Sequence, residues 1–253
     1  FNTYNNLIDT LLANGYVEGQ TLFTLPYDWE DSNAVLATTL NNTLDTIQAT
    51  CNCSYVDVVA HGMSGLAAAH SVIDAGYDDN IDQLVLIGTG FNGVPAAYAA
   101  WEAGRVQFDE PLRNGIAQAL LNHKASVGGY STTFDYVQAN VPSFLEMLPG
   151  TSYITGKTYP TGYPVNTYLD NIQDNFSAFN QSGIRLHQFD SNSSVNNTPR
   201  TFTVAASTEP PLWPHGQITG TTLGRGDTLV PFLRAEFFLS SDVPINNITH
   251  NNL

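Results

Sequence analysis

Apolar positions recur at helical spacing twice near the start of the chain. Leu7, Ile8, Leu11 and Leu12 share one face of a helix over residues 5–14, and Gly15 supplies a stop. Ala34, Val35, Leu36, Leu40, Leu44 and Ile47 give a longer helix over residues 32–50 an inward face. The short apolar run at 22–26 between them reads as a buried strand. Residues 55–61 (Tyr-Val-Asp-Val-Val-Ala-His) and 81–88 (Ile-Asp-Gln-Leu-Val-Leu-Ile-Gly) read as strands rich in β-branched residues, with a small-residue helix over 66–75 between them. Near-continuous apolar strands alternating with helices predict a mostly parallel sheet with helices on both faces, 55–61 near its centre and 81–88 beside it.

The alternation lapses from residue 94 to 200, where Gly, Pro, Tyr and Asn are frequent and helical stretches are short. This predicts an insertion that forms a lid or cap over the strand ends. One α/β domain is expected over 1–253, with 1–93 and 201–253 as its core and 94–200 as the cap. Sheet character returns at 200–207, followed by a Pro-rich loop, the 224–231 segment, an apolar run at 232–239 and a tail carrying His250. The polar stretch 190–197 is read as a solvated loop.

Composition narrows the function. A formal charge of −15 with only 8 Lys plus Arg repels phosphate backbones, which argues against nucleic acid as a partner and disfavours anionic membranes. No apolar run nears the roughly 20 residues that span a bilayer. Charged residues are only 12% of the chain, and N-x-S/T sequons stand at Asn41, Asn52, Asn175, Asn180, Asn192, Asn196 and Asn247, so an extracellular or cell-surface glycoprotein is expected. Cys51 and Cys53 are too close in sequence to cross-link distant elements and are read as structural or partner-linked thiols. His61 is the only nearby histidine, and neither it nor His70, His123, His187 or His215 completes a metal-binding spacing. No metal or cofactor is called for.

A strand that delivers Val-Val-Ala-His into a glycine-rich turn and then a small-residue helix is the layout of a nucleophile elbow, which lifts one side chain above the sheet edge. The segments 22–30 (Leu-Phe-Thr-Leu-Pro-Tyr-Asp-Trp-Glu), 56–66 (Val-Asp-Val-Val-Ala-His-Gly-Met-Ser-Gly-Leu), 86–98 and 226–231, with a Leu-Pro at 148–149 in a lid-like stretch, resemble the lecithin:cholesterol acyltransferase and lysosomal phospholipase family in order and spacing. The resemblance implies an α/β-hydrolase-like fold acting on lipid esters through an acyl-serine. In that family the elbow reads Ala-His-Ser-Met-Gly-Gly. Here Ala60, His61, Gly62, Met63, Ser64 and Gly65 hold those places, so glycine stands where the serine belongs.

Ser64 is the alternative nucleophile, but in an unslipped helix it is rotated by roughly 200° from position 62. A slipped register would bring it to the elbow at the cost of bulky Leu66 two residues on. The bland reading is a helix-capping or solvent-facing serine. Asp227 matches the family's acid and His250 its base, in the order nucleophile, acid, histidine. Asp227 is otherwise a turn-former beside Gly226, and His250 an exposed tail residue. The Met63 amide matches one oxyanion donor. The family has a strand and an oxyanion loop ahead of the region matching Phe1, so a preceding segment or another chain is expected to complete the sheet beside 22–26. Tyr27 and Trp29 are candidates for a pocket wall or for core packing. Two functions remain open: a secreted lipase, phospholipase or acyltransferase using Ser64, Asp227 and His250, and a pseudoenzyme serving as an extracellular binding or structural module.

Overall fold

The computed structural model describes residues 4–74, 76–108, 111–193, 195–232, 242–245 and 248–250. Helices α1 (Asn5–Ala13) and α2 (Asn33–Cys51) precede strand β1 (Val56–His61), helix α3 (Met63–Ile73) and strand β2 (Ile81–Ile87). Helices α4 (Ala97–Ala103), α5 (Pro111–Val127), α6 (Thr133–Asn140), α7 (Pro142–Glu146), α8 (Thr167–Asp174) and α9 (Phe176–Gln181) follow. The chain then returns to strands: β3 (Arg185–Ser191), β4 (Thr198–Ala205), β5 (Gln217–Gly224) and β6 (Asp242–Ile245).

Four strands form one parallel sheet in the order β1-β2-β3-β6. Register places Val58 beside Leu84 and Ala60 beside Leu86, so one face collects these side chains. That face is buried with Leu66, Ala69 and Val72 of α3, Leu169 and Ile172 of α8, and Phe179 of α9. The alternate positions are wetter, and Val59 is 47% exposed. Helix cover on both faces was expected; among the described residues, burial on β1 and β2 instead alternates, as in a sheet packed on one side.

Several strand expectations need correction. β1 is the outer strand of the described sheet rather than a central one. The run at 22–26 forms no strand among the described residues: Leu22 makes only an isolated bridge with Glu18, across the turn that precedes it. The strand expected at 200–207 is β4, which pairs antiparallel with β5 in a separate two-stranded ribbon. Its inward Phe202 packs with Tyr98, Tyr153 and Trp213 instead of entering the main sheet. The next core strand after β2 is β3, which lies within the span read as insertion; its polar ending Gln-Phe-Asp-Ser masked its sheet character. Cys51 and Cys53 form a disulfide with each other. Asn52 between them caps α2 in the left-handed conformation (φ 53°), which folds the chain back and brings their Cα atoms to 5.3 Å.

Polar groups join the helices after β2 to α2. The Glu146 carboxylate of α7 accepts from the Ser32 hydroxyl (2.6 Å), the Asn33 amide (2.6 Å) and Asn33 Nδ2 (2.8 Å) at the start of α2. It thereby satisfies a helix-end donor and sits favourably against the positive end of the helix dipole. Glu30 accepts from the Tyr136 hydroxyl of α6 (2.6 Å) and pairs with Lys124 of α5 (2.8 Å). Substituting Glu146→Ala leaves buried Asn33 groups without their acceptor. It is expected to lower stability by about 2–3 kcal/mol, read as a lower urea midpoint at unchanged slope.

Candidate active site

β1 ends at His61, and the chain turns at Gly62 into α3. Gly62 adopts φ 62° and ψ −126°, a conformation that L side chains hold only under strain. Its amide donates to the Ile87 carbonyl of β2 (2.8 Å), and Gly65, one turn on, packs against Thr89 so closely that a Cβ would collide with it. Close strand-to-helix packing therefore fixes the turn. The Met63 amide opens α3, at the end of a helix where amide groups have no intrahelical acceptor.

Asp227 and His250 meet beside this turn. Asp227 Oδ1 accepts from the amides of Leu229 (2.9 Å) and Val230 (2.6 Å), which closes its own loop. Its Oδ2 accepts from His250 Nδ1 at 2.7 Å, and its backbone carbonyl accepts from the His250 amide at 2.6 Å. The carboxylate is 1% exposed. Both sequence readings of Asp227 thus describe real contacts: one oxygen builds a turn and the other holds an imidazole. With Nδ1 donating to a carboxylate, Nε2 carries the lone pair. A Cβ built on Gly62 would lie 2.9 Å from that Nε2, so the imidazole faces the position that a side chain at 62 would occupy.

Ser64 is not part of this grouping. Its Oγ accepts from the His61 amide (3.0 Å) and donates to the His61 carbonyl (2.9 Å). The turn keeps its register, and the helical rotation directs Ser64 back onto the end of β1. Tyr27 stands beside Ser64, whereas Trp29 packs on Phe144, 5.6 Å between ring centroids, in the core built by α4 to α7.

His61 and Tyr4 complete the surroundings, and no motif or spacing had pointed to Tyr4. The Tyr4 hydroxyl donates to His61 Nδ1 (3.0 Å), leaving His61 Nε2 to donate to the His250 carbonyl (2.8 Å). The two imidazoles lie 4.5 Å apart, tilted by 36°. Burial, then the neighbouring His250, push His61 down to a pKa of about 4, against the opposing pull of the His250 carbonyl and Asp227. His61 is therefore neutral and positions His250 by ring contact and one hydrogen bond.

The remaining histidines lie elsewhere. His70 stands 5.2 Å from the Tyr168 ring, His123 is exposed, and His187 contacts Gln83. His215 pairs through Nδ1 with Glu102 (2.9 Å), a contact between α4 and the loop before β5 that spacing could not reveal. Among the described residues no group of His, Cys, Asp and Glu could hold a metal ion. Two surface cavities of about 500 and 510 Å³ are lined around Arg105 and Gln118, and around Lys157 and Trp213, and neither is lined by Gly62, Asp227 or His250.

A parallel sheet whose first strand enters a strained turn and helix, with an acid–histidine pair brought to that turn from the C-terminal part, defines an α/β-hydrolase. The family model for lecithin:cholesterol acyltransferase matches residues 1–206, and the chain belongs to that family, a lipase-like branch of the fold. The match ends before Asp227, so the acid and histidine rest on their geometry. Among solved structures, a chain of the Tle4–Tli4 complex is similar over 88% of this chain and 63% of its own, with a TM-score of 0.54 at 15% identity. This chain therefore spans less than two thirds of that relative's length. The mature Bacillus licheniformis lipase BlEst2 gives a TM-score of 0.42 at 12% identity over 89% of this chain and 68% of its own. Phospholipase PlaB from Legionella pneumophila gives 0.42 at 7% identity over 76% and 36%. A comparison with curated protein sequences found no match.

Titration of His61 sets a pH dependence of stability. The unfolded chain takes up this proton near 6.5 and the folded chain only near 4, so the unfolded state gains protons first as the pH falls. Stability is expected to be full above about pH 6.5 and to decline towards pH 4 by up to about 3 kcal/mol. Urea unfolding of the wild type and of His61→Gln checks this, since the variant is expected to lose that component of the slope.

Proposed function

We propose that this domain binds lipid esters at the elbow and does not pass through an acyl-serine at residue 62. The observation that carries the reading is an assembled Asp227–His250 pair facing a glycine. Binding of lipid esters is supported by membership of the acyltransferase family. The absence of an acyl-serine is supported by Gly62, which has no side chain, and by Ser64, whose hydroxyl is engaged with His61. Of the two functions the sequence left open, this favours a lipid-binding module over a serine hydrolase.

We place the protein outside the cell or at its surface. The low charged fraction, the sequons and the Cys51–Cys53 disulfide all fit an oxidising, glycosylating route. Asn52, Asn175 and Asn196 are exposed and suit glycans. Asn41 donates to the Ser71 carbonyl, and both it and Asn192 have a buried carbonyl oxygen, so they suit glycans less well. The Asn180 side chain and Asn247 lie outside the described residues. Material from a secreting host is expected to lose mass on amide glycan release, with sites mapping to Asn52, Asn175 or Asn196; an unchanged mass counts against secretion.

Fluorophosphonate labelling tests the chemistry, because it requires a base-activated serine and an oxyanion hole together. The native protein is expected not to label. Gly62→Ser is expected to raise labelling on the order of 100-fold or more, while losing about 1–2 kcal/mol of stability to backbone strain. Native labelling that disappears in Ser64→Ala overturns the proposal in favour of a displaced nucleophile.

A further inference from the structure

We infer that the Asp227–His250 pair acts on water directly, hydrolysing activated acyl esters at Gly62 without a covalent intermediate. This rests on the proposed reading that no acyl-serine forms, and it assigns an activity to the pair which that reading leaves unused. The geometry supplies a base, the contacts that hold it, and one amide beside it. Asp227 fixes the His250 tautomer through Nδ1, so Nε2 is a proton acceptor. His61 covers one face of the His250 ring and holds its backbone carbonyl, which limits the orientations of the imidazole. Nε2 is aimed at Gly62, where a Cβ would come within 2.9 Å of it, so the base stands against the elbow turn with no side chain between them. The Met63 amide opens α3 on the same turn, suitably placed in the chain to receive a developing oxyanion.

The step balances with water as the only co-reactant. As the water oxygen bonds to the acyl carbon, its proton passes to His250 Nε2 and the carbonyl electron pair moves onto the carbonyl oxygen. Collapse of the tetrahedral intermediate breaks the bond to the leaving oxygen. That oxygen departs with the bonding pair and takes the proton from Nε2, yielding acid and alcohol and regenerating the neutral imidazole. Water is not held in the attack geometry that a tethered hydroxyl would have, so part of the advantage of intramolecular reaction is missing. Good leaving groups compensate, which makes aryl esters the favoured substrate class.

The test uses p-nitrophenyl butyrate with the full chain. The native protein is expected to hydrolyse it with linear kinetics, no initial burst and no acyl adduct by intact mass. Prior treatment with fluorophosphonate is expected to leave the rate unchanged. His250→Asn is expected to lower the rate by about 100-fold while keeping the other five histidines, which controls for hydrolysis at exposed imidazoles. Gly62→Ala provides a second, independent loss, because its Cβ would come within 2.9 Å of Nε2 and displace the imidazole from the turn while both side chains of the pair are retained. Unfolding midpoints for each variant separate a folding defect from a chemical one.

Two failures are distinguishable. A burst with an acyl adduct, or inhibition by fluorophosphonate, refutes both this inference and the reading beneath it. Hydrolysis that is equal in native, His250→Asn and Gly62→Ala proteins, with no labelling, refutes this inference alone and leaves a binding module.

Discussion

The rest of the site depends on the two-sided use of the Asp227 carboxylate. One oxygen takes two backbone amides and closes the 227–230 loop, and the other takes the His250 imidazole. A buried carboxylate needs such compensation, since each unpaired lone-pair direction in a dry interior carries a desolvation penalty. Removing the imidazole would therefore leave a buried carboxylate oxygen without its donor. This double duty gives a physical reason for the acid–histidine pair to stay assembled beside a glycine.

The path from sequence to fold was clear where side chains obey a single period. The helices at 5–14 and 32–50 and the parallel strands around Val58 and Leu84 follow from local pattern, and they appear close to the expected boundaries. Legibility failed where tertiary partners decide. β3 ends in polar residues because Gln188 and Asp190 bond to each other on the buried face, and no periodicity rule anticipates a buried amide–carboxylate pair. β4 has the alternation of a core strand, but its inward Phe202 belongs to an aromatic cluster with Tyr98 and Trp213, a choice settled by residues about 100 positions upstream and about 10 downstream.

The site shows the same division. Gly62 at the turn and the positions of Met63 and Ser64 around it were readable from the strand–glycine–helix layout. The partnership of Asp227 with His250 came from family order, because nothing local joins residues 23 positions apart across a separate strand. Tyr4 and its bond to His61 were invisible, since a tyrosine ahead of an amphipathic helix has no distinguishing spacing. Ser64 illustrates how helical rotation overrules residue chemistry: a serine two places from the elbow is near it in sequence and turned away from it in space.

Gly62 also bears on how such a chain can change. A side chain in the left-handed region draws on the folding free energy of the whole protein, of the order of 1–2 kcal/mol, and most domains have only about 5–15 kcal/mol in total. Glycine at that point removes the draw while leaving the turn, the sheet bond to Ile87 and the Thr89 packing in place. The stability so released is a reserve against which neutral substitutions elsewhere can accumulate. Once they have done so, a serine introduced at 62 meets a chain with less margin to accommodate it, so the glycine becomes progressively harder to replace.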